Sequence, residues 1–546
     1  LNYLLPFVVT MFCGRLGNDV MAGYGLASAS INVTTAATGY GLILACDTLV
    51  SQTFGGKNLL RVGVILQRGI IILLLFCLPC WGLLINAQVI LLCVGQDPEV
   101  ARTAQLYITA YIPAVPVSHF CFLGIILPQM YAAALANIAN VLTNYTFLYW
   151  LDLGVRGSAA ANALSQIYIS TFLFAFIWWK KLHVTTWGGW SVESLQEWGS
   201  FMKLAIPSTL MKCFEWWVYE LGGFFAGMLS EDELAAQHAV IMVAFITYMF
   251  PLGIQAAACA RVGNALGAGD TARAILTTKV ALTLAGSIAV VEGIVLGSTK
   301  TVIGFIFTSD EKIIGLVSHL MNAYSHNNDR FVSLHPQGVC TGIFLGTGKQ
   351  KIPAVANFIG YYCIGLSLSI TLMFVAKLRV FGFWLGLLIC VILQSTLYIV
   401  VIFNLNWERM TEEVCYWILR LICACPVNLN YSLYLCHIIY QSKGDCDTVF
   451  QSVDGYMSVS VCDGSAEPQG GVQQLKGGRL STTQLILRRG LTMFMAVSLL
   501  AVGATVRFLV PLPETPSVNF TADWMNSTKT PDHIFSTVLL PTEESE

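Results

Sequence analysis

The sequence predicts an all-α polytopic membrane protein, with two six-helix lobes related by an internal repeat and an extra C-terminal transmembrane helix. Hydrophobic residues make up 56% of the 546 positions and charged residues only 11%, whereas soluble domains average about 25% charged residues. Several apolar runs also exceed the ~20 residues that a spanning helix needs. These observations exclude a soluble catalytic domain, and 29 basic against 31 acidic residues exclude a strongly basic surface for nucleic acid.

Apolar runs separated by short charged links predict the individual spans. In the first lobe the predicted spans are 1–14, 20–46, 64–94, 101–123, 125–150 and 158–179. In the second lobe they are 202–229, 234–258, 274–307, 313–324, 352–376 and 382–404, and an isolated run at 491–510 is the extra helix. Because the chain opens on Leu1 inside an apolar run, we interpret the first span as incomplete at its start.

The composition and the charged links predict domain boundaries and orientation. The predicted segments are a first lobe (1–180), a link (181–200), a second lobe (201–406), a polar, cysteine-rich segment (407–484), a thirteenth span (485–511) and a tail (512–546). Basic residues collect in alternate links, which predicts that the interlobe link and the polar segment are cytoplasmic. The tail is then extracellular, and its sequons at Asn519 and Asn526 are candidate glycosylation sites.

A weak internal repeat relates the two halves. After the second predicted span, the segment Cys46–Asn58 contains a glycine turn at Gly55, and after the eighth, Cys259–Asp270 contains one at Gly267. Both turns follow a helix of small residues and precede a basic helix start. Such repeats are common in transporters, with the binding site between the two halves.

Four runs carry a family resemblance: Cys46–Gly55, Phe214–Glu220, Arg261–Gly267 and Gly346–Gln350. Together they resemble the multidrug and toxin extrusion (MATE) family, in particular its animal branch with a thirteenth span. The resemblance extends from Leu1 to about Glu413. It implies a monomeric multi-pass carrier of the plasma membrane, apical in epithelia, that exchanges protons for small organic cations by alternating access without a cofactor.

Two carboxylates inside the seventh predicted span, Glu215 and Glu220, are the candidate proton and cation site. Intramembrane carboxylates are costly and tend to be functional, and the resemblance implies that the essential carboxylates lie here. Five residues at 100° each place them about 140° apart around the helix, which predicts that one faces the central cavity and the other faces neighbouring helices.

Six further side chains are candidates for the cavity lining: Trp216, Trp217, Tyr219, Met242, Gln52 and Gln255. The aromatic rings suit organic cations through cation–π attraction, and methionine is a soft lining for varied ligands, although many animal members of the family carry a glutamate where Met242 stands. The alternatives stay open: the rings pack or anchor at the interface, Glu215 pairs with Lys212 three residues earlier, and the amides join helices.

Two segments depart from the family pattern, near 119–125 and near 324–340. In the first, the link between helices four and five is nearly absent. In the second, only about eleven apolar residues, Ile313 to Ala323, precede a polar stretch, and ~16 Å of helix cannot cross ~30 Å of hydrocarbon. The alternative function is therefore a non-transporting product of such a transporter gene.

Other chemistries lack their residues, and we expect neither an enzyme nor a metal site. The cysteines from Cys423 to Cys446 fit no common zinc spacing, and no H-E-x-x-H motif occurs. The segment Gly342–Lys349 departs from the phosphate-binding loop that ATP-driven transport needs.

Overall fold

The computed structural model describes residues 4–16, 18–116, 126–181, 183–306, 311–325, 334–423 and 481–509. Within these ranges the regular structure is helical, with no β-strand. Eight of the helical stretches described there are long and apolar enough to cross a membrane. The predicted all-α, multi-span class is therefore confirmed.

The first lobe is built from helices that follow the predicted spans closely. They are α1 (Leu4–Leu16), α2 (Asn18–Ile31), α3 (Ala37–Gly55), α4 (Leu59–Ile85), α5 (Ala87–Cys93), α6 (Pro98–Tyr111), α7 (Ile126–Tyr145) and α8 (Gly154–Trp179). A π-helical turn, Asn32–Ala36, joins α2 to α3, and another, Thr146–Trp150, follows α7.

The second predicted span is longer than its apolar run, because polar residues continue the helix as far as Gly55. Thr48 Oγ1 donates to the Leu44 carbonyl at 3.0 Å, and Ser51 Oγ donates to the Thr48 carbonyl at 3.0 Å. Hydroxyls bonded to their own helix in this way can stay buried. Hydropathy alone therefore ended this span too early, at residue 46.

The second lobe contains α9 (Trp198–Gly227), α10 (Glu231–Gly267), α11 (Thr271–Thr299), α12 (Glu311–Ser325), α13 (Leu334–Thr347), α14 (Lys351–Asn357), α15 (Ser367–Ile370) and α16 (Arg379–Phe403). Phe358–Leu366 and Thr371–Val375 are π-helical and complete the α14–α15 span. Two helices follow this lobe, α17 (Trp407–Cys423) and α18 (Thr482–Leu509). Helix α18 corresponds to the predicted thirteenth span, and it packs on α4.

The predicted tenth span, 313–324, is only part of the helical structure in this region. Helix α12 is followed, after residues 326–333 outside the described ranges, by α13, which packs deep in the second lobe between α10, α11 and α16. Gln337 of α13 is buried because its Nε2 donates to Tyr361 Oη at 2.8 Å and to Gln394 Oε1 at 3.0 Å. The hydropathy pattern did not predict α13, because this helix contains polar residues whose hydrogen-bond partners lie inside the lobe.

Helix α17 occupies the start of the segment that the sequence defines as polar and cysteine-rich, 407–484. Its residues Val414 and Ile418 pack against the ends of α10 and α11, and Thr411 shares a 2.8 Å hydrogen bond with Thr271. At its exposed side, Lys349 Nζ lies 2.7 Å from Glu413 Oε2, and this hydrogen bond lowers the pKa of the Glu413 carboxyl. Residues 424–480 of the cysteine-rich segment lie outside the described ranges.

The interlobe link is tied to the first lobe. Arg61 of α4 forms two ion pairs with it, from Nη1 to Glu193 at 2.7 Å and from Nη2 to Glu197 at 2.8 Å. Gln67 Nε2 donates to the Gly189 carbonyl at 2.7 Å. These buried or half-buried contacts fix the link on α4 before α9 begins.

Helix α9 packs into two different hydrophobic clusters along its length. At its start, Phe201 and Ala205 are buried among side chains of α3 and α4 in the first lobe. Near its end, Val218 and Ala226 belong to the main cluster of the second lobe. Pro207 lies inside the helix between these parts, where it cannot donate a backbone hydrogen bond.

The ends of α3 and α10 cross at two glycines, and we call this crossing the glycine contact (Gln52, Gly55, Asn264 and Gly267). A Cβ at Gly55 would lie 2.1 Å from the Asn264 carbonyl oxygen, and one at Gly267 would lie 2.0 Å from the Gln52 carbonyl oxygen. The two contacts are reciprocal, as expected for equivalent positions of an internal repeat. Only glycine permits this approach of two backbones.

Candidate functional site

The candidate site is a cavity between the lobes with about 1240 Å³ of empty volume, including its open part. Glu215 and Glu220 of α9 both line it, and Asn32 of the first lobe lies opposite. The remaining lining is mostly apolar and aromatic and comes from α9, α10, α13, the π-helical stretch Phe358–Leu366 and α16. A largely apolar cavity with a few convergent polar groups is the usual form of a small-molecule site.

Both oxygens of the Glu215 carboxylate have a partner. Oε2 lies 2.8 Å from Lys212 Nζ, and Oε1 accepts a hydrogen bond from Tyr248 Oη at 2.9 Å. Lys212 Nζ also donates to Tyr248 Oη at 3.3 Å, so the three groups form a closed triangle. The pairing of Glu215 with Lys212, which the sequence left open as an alternative, is present.

Glu220 meets the first lobe directly. Its Oε1 accepts a hydrogen bond from Asn32 Nδ2 at 3.1 Å, and Asn32 begins the π-helical turn between α2 and α3. Such turns are frequent at functional sites, because they re-aim side chains that a regular helix would direct elsewhere. The bond therefore links the two lobes at the cavity.

The two carboxylates do not divide between the cavity and the neighbouring helices as the 140° separation predicted. Both carboxylates line the cavity. They differ in their partners instead, since Glu215 is bound within the second lobe and Glu220 is bound across the lobes.

Two of the aromatic candidates lie in the cavity wall. The ring of Trp216 stacks on Tyr40 of the first lobe, with centroids 5.6 Å apart and planes at 15°. Tyr219 lies 6.3 Å from Trp384, whose Nε1 donates to Gln237 Oε1 at 2.6 Å. These contacts hold aromatic faces around the carboxylates, as a site for organic cations requires.

The other predicted residues lie elsewhere. Trp217, Met242, Gln52 and Gln255 are not part of the cavity lining. Gln52 Nε2 instead donates to the Gly346 carbonyl at 2.9 Å, which is the interhelical bonding that the sequence left as an alternative. The candidate glycosylation residues Asn519 and Asn526 are outside the described ranges.

Sequence reasoning missed several residues that complete the site. They are single polar or aromatic side chains in long apolar runs: Asn32, Tyr40, Tyr248, Gln337 and Trp384. Asn32 lies inside the second predicted span, where it begins an Asn-Val-Thr sequence. A buried amide in a membrane helix was the available signal, since such a group needs a partner.

The described residues offer no metal-binding arrangement. Within those ranges, no group of three or more His, Cys, Asp or Glu side chains comes together. The site therefore consists of two carboxylates, one ammonium group, hydroxyl and amide donors, and aromatic faces.

Comparisons with known proteins agree with this architecture. The MatE family profile matches residues 1–146 and 207–371. The chain is 45% identical to multidrug and toxin extrusion protein 1 of Danio rerio over 522 residues, which are 92% of this chain and 86% of the relative. It is 42% identical to the Homo sapiens protein of that name, covering 93% of this chain and 90% of the relative.

A solved structure has the same fold. The eukaryotic MATE transporter AtDTX14 superposes with a TM-score of 0.71 at 26% identity, covering 76% of this chain and 95% of that chain. Together with the profile match and the vertebrate relatives, this similarity confirms the resemblance read from the sequence, and the chain belongs to the MATE family of transporters.

Proposed function

We propose that this protein is a proton-coupled antiporter that exports organic cations and xenobiotics by alternating access. The observation that carries the proposal is the pair Glu215 and Glu220, which open on one aromatic cavity between the lobes. A carboxylate inside a membrane is costly unless it is protonated, paired or bound to a cation. A proton and an organic cation that use the same carboxylate exclude each other, so their movements are coupled.

The contacts between the lobes support alternating access. By the positive-inside rule, the links after α3 and α13, which carry Lys57 and Lys349, face the cytoplasm. The glycine contact lies at that end, and separation of α3 from α10 there would open the cavity to the cytoplasm. The hydrogen bond between Asn32 and Glu220 joins the lobes at the cavity, and it would have to hold in that state and break when the cavity opens to the other side.

The names of the relatives support the substrate class. They are named multidrug and toxin extrusion proteins, which accords with an apolar, aromatic cavity that accepts varied organic cations. We place the carrier in the plasma membrane, at the apical face of epithelia, as a monomer. A non-transporting product remains the outcome that the following experiment must exclude.

The test is uptake of a small organic cation into acid-loaded cells. The outward proton gradient then drives the carrier in reverse, so uptake should rise when the external medium is made alkaline. Cells that carry the Glu215→Gln variant at the same surface level are the matched control. Absence of uptake by the native chain at the surface would favour the non-transporting product, and ATP-dependent uptake after the gradient is collapsed would exclude antiport.

A further inference from the structure

Lys212 is a buried ammonium group that the proposed exchange does not use. It lies on α9 one turn before Glu215, and only 1% of its side chain is exposed. A lysine inside the membrane is costly, and such residues usually pair or mark a ligand pathway. Its position beside the cavity therefore requires an account.

The surroundings of Lys212 have the chemistry of an organic-cation site. Nζ lies 2.8 Å from the Glu215 carboxylate. It also lies 5.8 Å from the ring centroid of Tyr40. It contacts Tyr248 at the hydroxyl and not over the ring, since Nζ is 3.3 Å from Oη and 6.0 Å from the ring centroid. A carboxylate with an aromatic face within about 6 Å is the arrangement that recognises alkylammonium ligands, and here the ligand position is filled by the protein's own alkylammonium group.

Glu220 provides the internal contrast. It lines the same cavity, but its partner is the neutral amide of Asn32. Among the described residues, the ion pairs of α9 involve Glu215 and not Glu220. Only one of the two carboxylates therefore carries a tethered cation.

We propose that Lys212 is a specificity-determining residue that acts as a tethered competitor, occupying the cation position of Glu215 until an external organic cation displaces it. This inference rests on the proposed function, because it concerns the same cavity and its cation substrates. If the ammonium group leaves Glu215 only one-tenth of the time, the apparent affinity of an external cation is about tenfold below its intrinsic value. The lysine thus raises the Kd of every cation that must displace it, so that only cations with a high intrinsic affinity bind at low concentration.

The experiment measures tetraethylammonium binding to the purified full-length protein in nanodiscs by calorimetry. Lys212→Met and Lys212→Gln should each lower the Kd at least tenfold, since both remove the competitor while the second keeps a hydrogen-bond donor. Lys203→Met removes an exposed lysine of the same helix and should change the Kd less than twofold. An unchanged or raised Kd in the Lys212 variants would overturn the proposal.

Two double variants separate competition from general charge repulsion. The gain from Lys212→Met should disappear when Glu215→Gln is added, and it should persist when Glu220→Gln is added. A gain that survives Glu215→Gln would show that the lysine acts through its long-range charge and would refute the competitor role. Failure of both single Lys212 variants to reach the membrane would show that the ion pair with Glu215 is structural and would also refute the competitor role.

Binding and transport failures are distinguishable. A native chain that binds tetraethylammonium but moves no cation would contradict the proposed function, while the affinity gain in the Lys212 variants would still stand. Transport by the native chain without that gain would contradict the competitor role alone.

Discussion

The two lobes meet in two regions that are built from different chemistry. At the cavity, side chains make the contacts: Asn32 bonds to Glu220 at 3.1 Å, and Tyr40 stacks on Trp216 at 5.6 Å. At the glycine contact, backbone approaches backbone at Gly55 and Gly267. The cavity carries charges that can exchange partners, whereas the glycine contact depends on shape.

We therefore expect the cavity to determine coupling to the bound ligand, and the glycine contact to determine access to the cavity. In the proposed exchange, a proton or cation would alter the contacts at the cavity directly, because charge-dependent side chains form them. The glycine contact holds no ionised group of its own, so its strength is set by packing and by neutral hydrogen bonds such as that of Gln350 Nε2 to Thr48 Oγ1 at 2.9 Å. Changes at the cavity should therefore alter coupling, and changes at the glycine contact should alter access.

The largest effect is expected at the cavity, from Glu215→Gln. The amide fixes the neutral state and leaves the buried Lys212 without its counter-ion, and removal of one partner of a buried ion pair costs about 3–5 kcal/mol. Coupled transport should fall at least ~100-fold at equal surface level. Glu215→Asp should retain measurable pH-driven flux, and normal flux in Glu215→Gln would move the essential role to Glu220.

The next effect is expected at the glycine contact, from Gly267→Ala. The added methyl group would overlap the Gln52 carbonyl oxygen, and overpacking of this kind costs about 1–3 kcal/mol. Uptake should fall about tenfold, while tetraethylammonium binding should stay within about twofold. Gly253→Ala on the same helix, where no heavy atom lies within 4 Å of the new Cβ, is the control; equal losses in both variants would contradict a role of the contact.

A smaller effect is expected from Gln52→Ala, which removes the bond to the Gly346 carbonyl. A hydrogen bond contributes about 0.5–1.5 kcal/mol, so opening of the contact should become a few times more frequent. The measurement is the rate at which a permeant maleimide modifies a Ser51→Cys reporter, with the reporter alone as reference. An unchanged rate would show that Gln52 does not hold the lobes together.

The smallest effect is expected outside both regions, from Glu413→Gln. Exposed pairs such as Lys349–Glu413 contribute at most about 1 kcal/mol. Because the pKa of Glu413 is lowered in the folded protein, this stabilisation is present above the ordinary carboxyl pKa and is lost as pH falls through the lowered value. The variant should therefore unfold at a slightly lower temperature at pH 7 and at the native temperature at pH 3.

The control for this measurement is Glu408→Gln, which replaces an exposed carboxylate on the same helix. Its thermal unfolding should match that of the native chain at pH 7. A difference between Glu413→Gln and the native chain that persists at pH 3 would show that the effect does not arise from the ion pair.

The sequence predicted the elements well where apolar runs are long and the breaks are charged. It failed where polar residues are satisfied by partners far along the chain. Gln337 is the clearest case, since its hydrogen bonds to Tyr361 and Gln394 allow α13 to lie in the interior of the lobe, although the segment 324–340 departs from the family pattern. A hydropathy profile depends on the residue type alone and contains no information on the hydrogen-bond partner.

The same reason limited prediction of the candidate site. Glu215 and Glu220 were found because carboxylates are rare in spans and because the family resemblance drew attention to them. Their partners Asn32 and Tyr248 lie 188 and 33 residues away along the chain, and neither belongs to a motif. Lys212 was considered only as a helical neighbour, since its aromatic surroundings come from two lobes.

The two-cluster packing of α9 has a mechanical consequence. Its first turns pack against α3 and α4 and follow the interlobe link, to which Arg61 is ion-paired. Its last turns pack in the second lobe. If one lobe rotates against the other, α9 must bend. It bends most easily at Pro207, where the helix lacks one backbone hydrogen bond. The carboxylates lie about two and about four turns beyond Pro207, so a bend there would move them relative to Asn32 and Tyr40 and convert rigid-body motion into a change of ligand affinity.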